Sequence, residues 1–161
     1  MVINYIADMA DSDDNWFTVP TVDDNGGTVI VTGRLDVSGY RSRPRNCIRV
    51  SVTMRYTPGG PLGFPDDTTA ELLEKITDAF HKELHGKNTA LLTGIYTGGG
   101  ERNWVFYTFS TEAFNGFLNR ALAPFPLLPL DISAENDPEW NEYDEMRLVA
   151  GDQSISIVPL Q

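Results

Sequence analysis

Six of the chain's twelve basic residues fall in one stretch: Arg34, Arg41, Arg43, Arg45, Arg49 and Arg55, with Asp36 the only acid among them. Residues 34 to 55 therefore carry +5 and the rest of the chain −16, within a formal net charge of −11. Planar guanidinium forks match carboxylate and phosphate oxygens in pairs. Arg43, Arg45, Arg49 and Arg55 are thus candidates for holding an anionic ligand or an acidic partner. The competing reading is that they pair with the protein's own carboxylates, on neighbouring strands or on the last helix, as cross-strand charges commonly do. Trp104 and Tyr107, with Trp140, form a candidate aromatic surface, with core packing as its alternative.

The remaining reactive types carry less. His81 and His85 lie one helical turn apart and Asp78 lies three residues before His81, so these three are the candidate metal ligands. The string HKELH sets its Glu one place away from the HExxH pattern, which removes a zinc-protease mechanism. Asp11, Asp13 and Asn15 imitate the start of a calcium loop, but Trp16 stands where Gly is required and Val22 where Glu is required. Gly98 to Gly100 form a hairpin tip with no helix after it, so they are no phosphate loop. Cys47 sits between Arg45 and Arg49 without an evident His partner, and a half-buried strand thiol is the expectation. Asp137 and Glu139 suit the first turn of a helix as capping groups. No catalytic set emerges, and no cofactor is expected.

These side chains must be positioned by a sheet. Asn46 to Tyr56 alternates strictly, with Ile48, Val50, Val52, Met54 and Tyr56 on one side and Arg49, Ser51, Thr53 and Arg55 on the other. That period of two describes a strand buried on one face, hence an antiparallel sheet with helices over one face and the other open. Trp16–Val19 and Thr28–Val37 are earlier strands, the second with a possible bulge at Gly33, and Ser38–Arg45 reads as a polar loop. Asp66–His85 is a helix with capping-box spacing at Thr68 and Glu71, a stripe of Leu73, Ile76, Phe80 and Leu84, and Gly86 as its stop. Thr89–Thr97 and Arg102–Phe109 form a hairpin. The second of these carries aromatics in both phases, so either an aromatic faces the open side or another element covers it. A second helix, capped by Ser110 or Thr111, runs to Leu122. Leu127–Ser133 is a short strand suited to an edge by Pro129. Asn136–Leu148 is a third helix with Trp140, Tyr143 and Leu148 inward, and the SISIVP tail is a possible edge strand.

The length of 161 residues suits one domain, with residues 1–15 as a loose arm. The acidic balance argues against nucleic-acid binding. No apolar run approaches the ~20 residues of a membrane span, and the N-terminus lacks the features of a secretory signal. One cysteine permits no internal disulfide, so a reducing, cytoplasmic setting is expected.

Several islands resemble an uncharacterised, mainly bacterial family catalogued as domain of unknown function 695. They are Arg43-Pro44-Arg45, the Gly63-Phe64-Pro65 loop, Asn103-Trp104-Val105-Phe106-Tyr107, and Asp137 through Tyr143. Members are sometimes joined to a domain like the regulator of ribonuclease E activity B, another acidic ferredoxin-like protein. The resemblance therefore implies a regulatory binding role and supplies no catalytic residue. The fold expected is α+β, a two-layer sandwich of an antiparallel sheet with helices on one face. Residues 46–133 form its ferredoxin-like β-α-β-β-α-β core, with extra N-terminal strands and a C-terminal helix. The expected function is a binding module that meets a protein partner, or a second copy of itself, on the open sheet face. A small enzyme holding an anionic ligand with Arg49 and Arg55, and an immunity protein against a toxin, are the alternatives.

Overall fold

The computed structural model describes residues 16–42 and 45–157, with residues 150–157 described by their backbone alone. The N-terminal arm, the aspartates at 11, 13 and 14, Arg43 and the last four residues lie outside the described residues. The strands are β1 Trp16–Val22, β2 Thr28–Arg34, β3 Ile48–Arg55, β4 Ala90–Gly98, β5 Glu101–Thr108 and β6 Leu130–Asn136. The helices are α1 Ser38–Arg41, α2 Asp67–Leu84, α3 Thr111–Leu122 and α4 Asn141–Ile157.

The six strands form one sheet in the order β1-β2-β4-β5-β3-β6, every neighbouring pair antiparallel. The segment β3-α2-β4-β5-α3-β6 keeps the element order expected from sequence, and β3 lies between β5 and β6. Sheet and α2/α3 pair make the two layers. Val50, Val52, Met54, Leu92, Trp104 and Phe106 meet Leu73, Ile76 and Phe80 of α2 and Phe114, Phe117 and Leu118 of α3. Phe80 stands edge-on to Trp104 at 5.3 Å and to Phe106 at 5.4 Å, the geometry that aromatic quadrupoles favour. Each fully buried ring of this kind stabilises the fold by about 1.5–3 kcal/mol.

The opposite face carries a smaller cover. Trp140, Tyr143 and Met146, at the start of α4, pack with Val31, Leu91 and Tyr107, and Val37 beside α1 joins them. Among the described residues this cover spans the β1-β2-β4-β5 side and leaves β3 and β6 bare, so the open face is two strands of the six. It also resolves the aromatics in both phases of β5: Trp104 and Phe106 face α2, and Val105 and Tyr107 point to the other side.

Several local expectations are corrected, and the choice of Ser110 or Thr111 as cap is resolved. The α2 N-cap is Asp66, whose carboxylate accepts from the Thr69 amide at 2.8 Å; Thr68 and Glu71 form no capping box. Ser110 caps α3 by accepting from the Ala113 amide. The bulge is at Thr93, between Leu92 and Gly94, and the register through Gly33 is continuous. Gly33 instead makes room: a Cβ there would lie 2.4 Å from the Phe17 ring and 2.8 Å from the Met146 methyl. Residues 38–41 form a helical turn, not loop throughout. β6 extends to Asn136, so α4 starts five residues later than expected and continues through Ile157, making the SISI segment helical. Leu148 is 66% exposed, and Met146 takes the buried place it was assigned.

Candidate functional site

The arginine stretch is not one surface. Arg34 is buried, its Nε donating to the Leu92 carbonyl at 2.8 Å and its guanidinium lying 4.6 Å from the Trp16 ring. Arg41 grips Asp144 of α4 with both terminal nitrogens, at 2.7 and 2.6 Å, and donates to the Glu139 carbonyl. Arg45 lies over the Phe109 ring at 5.1 Å. Among the described residues of the stretch, only Arg49 and Arg55 reach the bare β3–β6 corner, and both are already paired. Register sets Glu135 directly opposite Arg49, whose Nη2 donates to it at 2.7 Å. Arg55 pairs with Asp131 and has Glu101, its partner on β5, at 3.9 Å. The corner is a neutralised charge ladder, which is the pairing alternative raised by the sequence.

Trp104 and Tyr107 are fully buried, so neither meets a partner across the surface. Trp104 donates its indole N–H to Thr77 at 2.9 Å inside the α2 layer. Tyr107 belongs to a fastening built by the segment Asp137 to Tyr143. Its hydroxyl donates to Asp137 at 2.7 Å, and its ring stacks on Trp140 at 4.1 Å and 13°. Asp137 also accepts from the amides of Asn141 and Glu142, capping α4. Trp140 donates to the Asn46 carbonyl, and Tyr143 to the Arg34 carbonyl at 2.5 Å. Trp140 sustains φ +58°, which is strained for a bulky residue and is held by this packing. Burial opposes ionisation of Asp137, yet the Tyr107 hydroxyl, the two amides and the Arg49 charge together hold its carboxyl below the usual range. Burial pushes the Tyr107 hydroxyl well up, with the Asp137 bond adding to it. Asp137 is thus the capping group expected; Glu139 contributes only its backbone carbonyl, to Arg41.

A concave feature lies on the other face, between α2 and the β1–β2 hairpin. It is a cleft of about 260 Å3 bordered by Glu74, Asp78 and His81 of α2, Trp16 of β1 and Arg102 of β5, floored by Thr32, Thr77 and Ile95. Arg49 and Arg55 line no part of it. Arg102 Nη1 donates to Glu74 at 3.0 Å and its Nε to Thr97 at 2.9 Å. His81 stands edge-on to the Trp16 ring at 5.8 Å. Crowding by the cleft walls, followed by the Arg34 charge, draws the imidazole pKa down to about 4. More than a third of the residue remains exposed, so solvent relieves part of that penalty. Burial and then the Glu74 charge push the Asp78 carboxyl up.

Of the proposed metal ligands, the structure brings Asp78 and His81 to this cleft but not His85. Among the described residues no group of three His, Cys, Asp or Glu is placed to hold a metal ion. Cys47 is half-buried just before β3, as expected. Gly98 to Gly100 tip the β4–β5 hairpin and dock the 57–65 loop, the Gly100 amide donating to the Gly63 carbonyl at 3.0 Å. Sequence reasoning missed Trp16, Glu74 and Arg102 as site residues, because no local spacing links positions in three separate elements. Among the described residues, no helix is long and apolar enough to cross a membrane. A family model described as a family of unknown function (DUF695) matches residues 14–146, and no curated protein matches the chain.

Proposed function

The chain belongs to this family of unknown function, which supplies no activity to transfer, and from its structure we propose a non-enzymatic protein-binding module that engages its partner at the β6 corner. One observation carries the reading: among the described residues β6 pairs only with β3, and six of its seven residues are exposed. Natural edge strands are usually blunted by proline, lysine, a bulge or a covering element. Leu130 to Asn136 contains no proline or lysine, and its register with β3 is unbroken. Its two carboxylates, Asp131 and Glu135, are neutralised by Arg55 and Arg49. The opposite edge, β1, carries Pro20 and has α4 packed over one face.

An extended segment of a partner, or β6 of a second copy, can therefore add as a further strand, with backbone hydrogen bonds giving affinity and Ile132, 49% exposed, an apolar contact. Since the arginines are spent on internal pairs, this association is insensitive to salt. A cytoplasmic setting is part of the proposal, given the single Cys47.

The test is a photo-crosslinking residue at position 132, with one at the exposed Val22 of β1 as control. Position 132 is expected to yield one discrete adduct at low and high salt, lost when Ala134→Lys is added to the strand. A homotypic adduct identifies the partner as a second copy. Equal crosslinking from position 22, or no discrete adduct from position 132, overturns the reading.

A further inference from the structure

We infer that the cleft between α2 and the β1–β2 hairpin binds a small zwitterion of amino-acid size, its cationic end at Asp78 and its anionic end at Arg102. The cleft lies on the α2 face, away from the bare β3–β6 corner, and the inference stands independently of the partner proposed there.

The cleft is bordered by polar groups that the fold leaves unused. Asp78 and His81 make no hydrogen bond among the described residues, whereas Thr32 bonds the Thr18 hydroxyl, Glu74 accepts from Arg102 and Thr77 donates to the Leu73 carbonyl. Arg102 spends Nε on Thr97 and Nη1 on Glu74 and Thr77, which leaves the two N–H groups of Nη2 without a bond among the described residues. Thr77 is itself satisfied: its hydroxyl donates to the Leu73 carbonyl and accepts from the Trp104 indole. It is wall, not contact. Trp16 is fixed between the Arg34 guanidinium and the His81 ring, so it presents a rigid aromatic surface.

The charges decide the class of ligand. A plain anion near Arg102 would also meet Glu74 and Asp78, which are like-charged neighbours one helical turn apart. A plain cation in the cleft would meet Arg102 on its border and the Arg34 charge that already acts on His81. An uncharged apolar molecule would bury the carboxylate, imidazole and guanidinium edges without replacing their water, which is costly. A molecule with one charge of each sign meets all three constraints. Its ammonium relieves the Glu74–Asp78 repulsion and lies beside an aromatic ring, and its carboxylate completes the fork of Arg102. The volume of about 260 Å3 lies below the ~300 Å3 at which sites for drug-sized ligands begin, which limits the ligand to a few heavy atoms beyond its charged ends.

The probe is a mixture of the free α-amino acids, observed by saturation-transfer NMR with the whole chain. N-acetyl amino acids, lacking the ammonium, and α-amino amides, lacking the carboxylate, form the comparison arms. At least one free amino acid is expected to receive saturation and to shift the Trp16 indole resonance. Each comparison arm should bind at least tenfold more weakly. Asp78→Asn, on an exposed helix position, should keep the fold and weaken binding of the same amino acid at least tenfold. No saturation transfer to any free amino acid at millimolar concentration overturns the inference, as do N-acetyl derivatives binding equally well or affinity unchanged in Asp78→Asn.

Discussion

Replacing Asp137 by alanine removes three hydrogen bonds at once, and their costs can be worked separately. Two come from the amides of Asn141 and Glu142 at 2.9 and 3.1 Å, the capping bonds of α4. Loss of an N-cap costs about 1 kcal/mol. The third comes from the Tyr107 hydroxyl at 2.7 Å on a fully buried residue, and an abandoned buried donor costs about 1–3 kcal/mol. The sum is ~2–4 kcal/mol, which lowers the melting temperature by ~2–4 °C per kcal/mol in a chain of this size. Urea denaturation of Asp137→Ala, Tyr107→Phe and the double variant measures it. The pair should be coupled by at least ~0.5 kcal/mol, because Tyr107→Phe removes the donor that Asp137→Ala strands. The deficit also depends on pH. A carboxyl held below its unfolded pKa stabilises the fold at pH values above the unfolded carboxylate range. That contribution is lost as pH falls through the folded pKa. The gap between wild type and Asp137→Ala should therefore narrow in acid. A loss under ~1 kcal/mol, additive with Tyr107→Phe and constant with pH, would refute the fastening described for α4.

Arg49→Glu should destabilise by ~1 kcal/mol or more, since it opposes Glu135 across the ladder from a largely buried position; Arg55→Glu, whose partners are exposed, should cost less than ~1 kcal/mol in the same urea titrations. His81 should titrate below an ordinary imidazole in NMR. As a base whose folded pKa lies beneath its ordinary 6.5, it contributes stability present above that value and lost as pH falls toward about 4, so His81→Gln should flatten this part of the pH–stability curve. Gly33→Ala should cost ~1–3 kcal/mol by thermal melting, because its methyl overlaps the Phe17 ring and the Met146 methyl.

The parts of the fold legible in the sequence were those written in short-range periodicity. The alternation of β3 and the stripes of α2 and α3 appear on the faces assigned to them, because one-sided burial imposes a local period. The cover on the second face was legible only as a contradiction, the aromatics of β5 falling in both phases. What resolves it is Trp140 reaching Tyr107, a contact between distant segments. Strand order has the same character: β3 bonds to β5 and β6 through pairings no local pattern encodes. The arginines show the limit for sites. Their types and clustering were visible, but whether Arg49 faced solvent or Glu135 depended on register with a strand some eighty residues away. The cleft was least legible, because Trp16, Glu74 and Arg102 are neighbours only after the hairpin has docked beside α2.

The clasp of α4 over the second face fixes an order of events during synthesis. Val31, Leu91 and Tyr107 lie in strands that leave the ribosome before Trp140, Tyr143 and Met146, the residues that cover them. A nascent chain that has already paired β4 with β5 thus presents a bare apolar sheet until the Asp137–Met146 segment emerges. Exposed surface of this kind is where partly made proteins associate wrongly or are held by chaperones. The pace of synthesis after β5 has left the ribosome therefore sets how long that surface is open, and synonymous changes that alter this pace can alter the soluble yield while leaving the finished molecule identical.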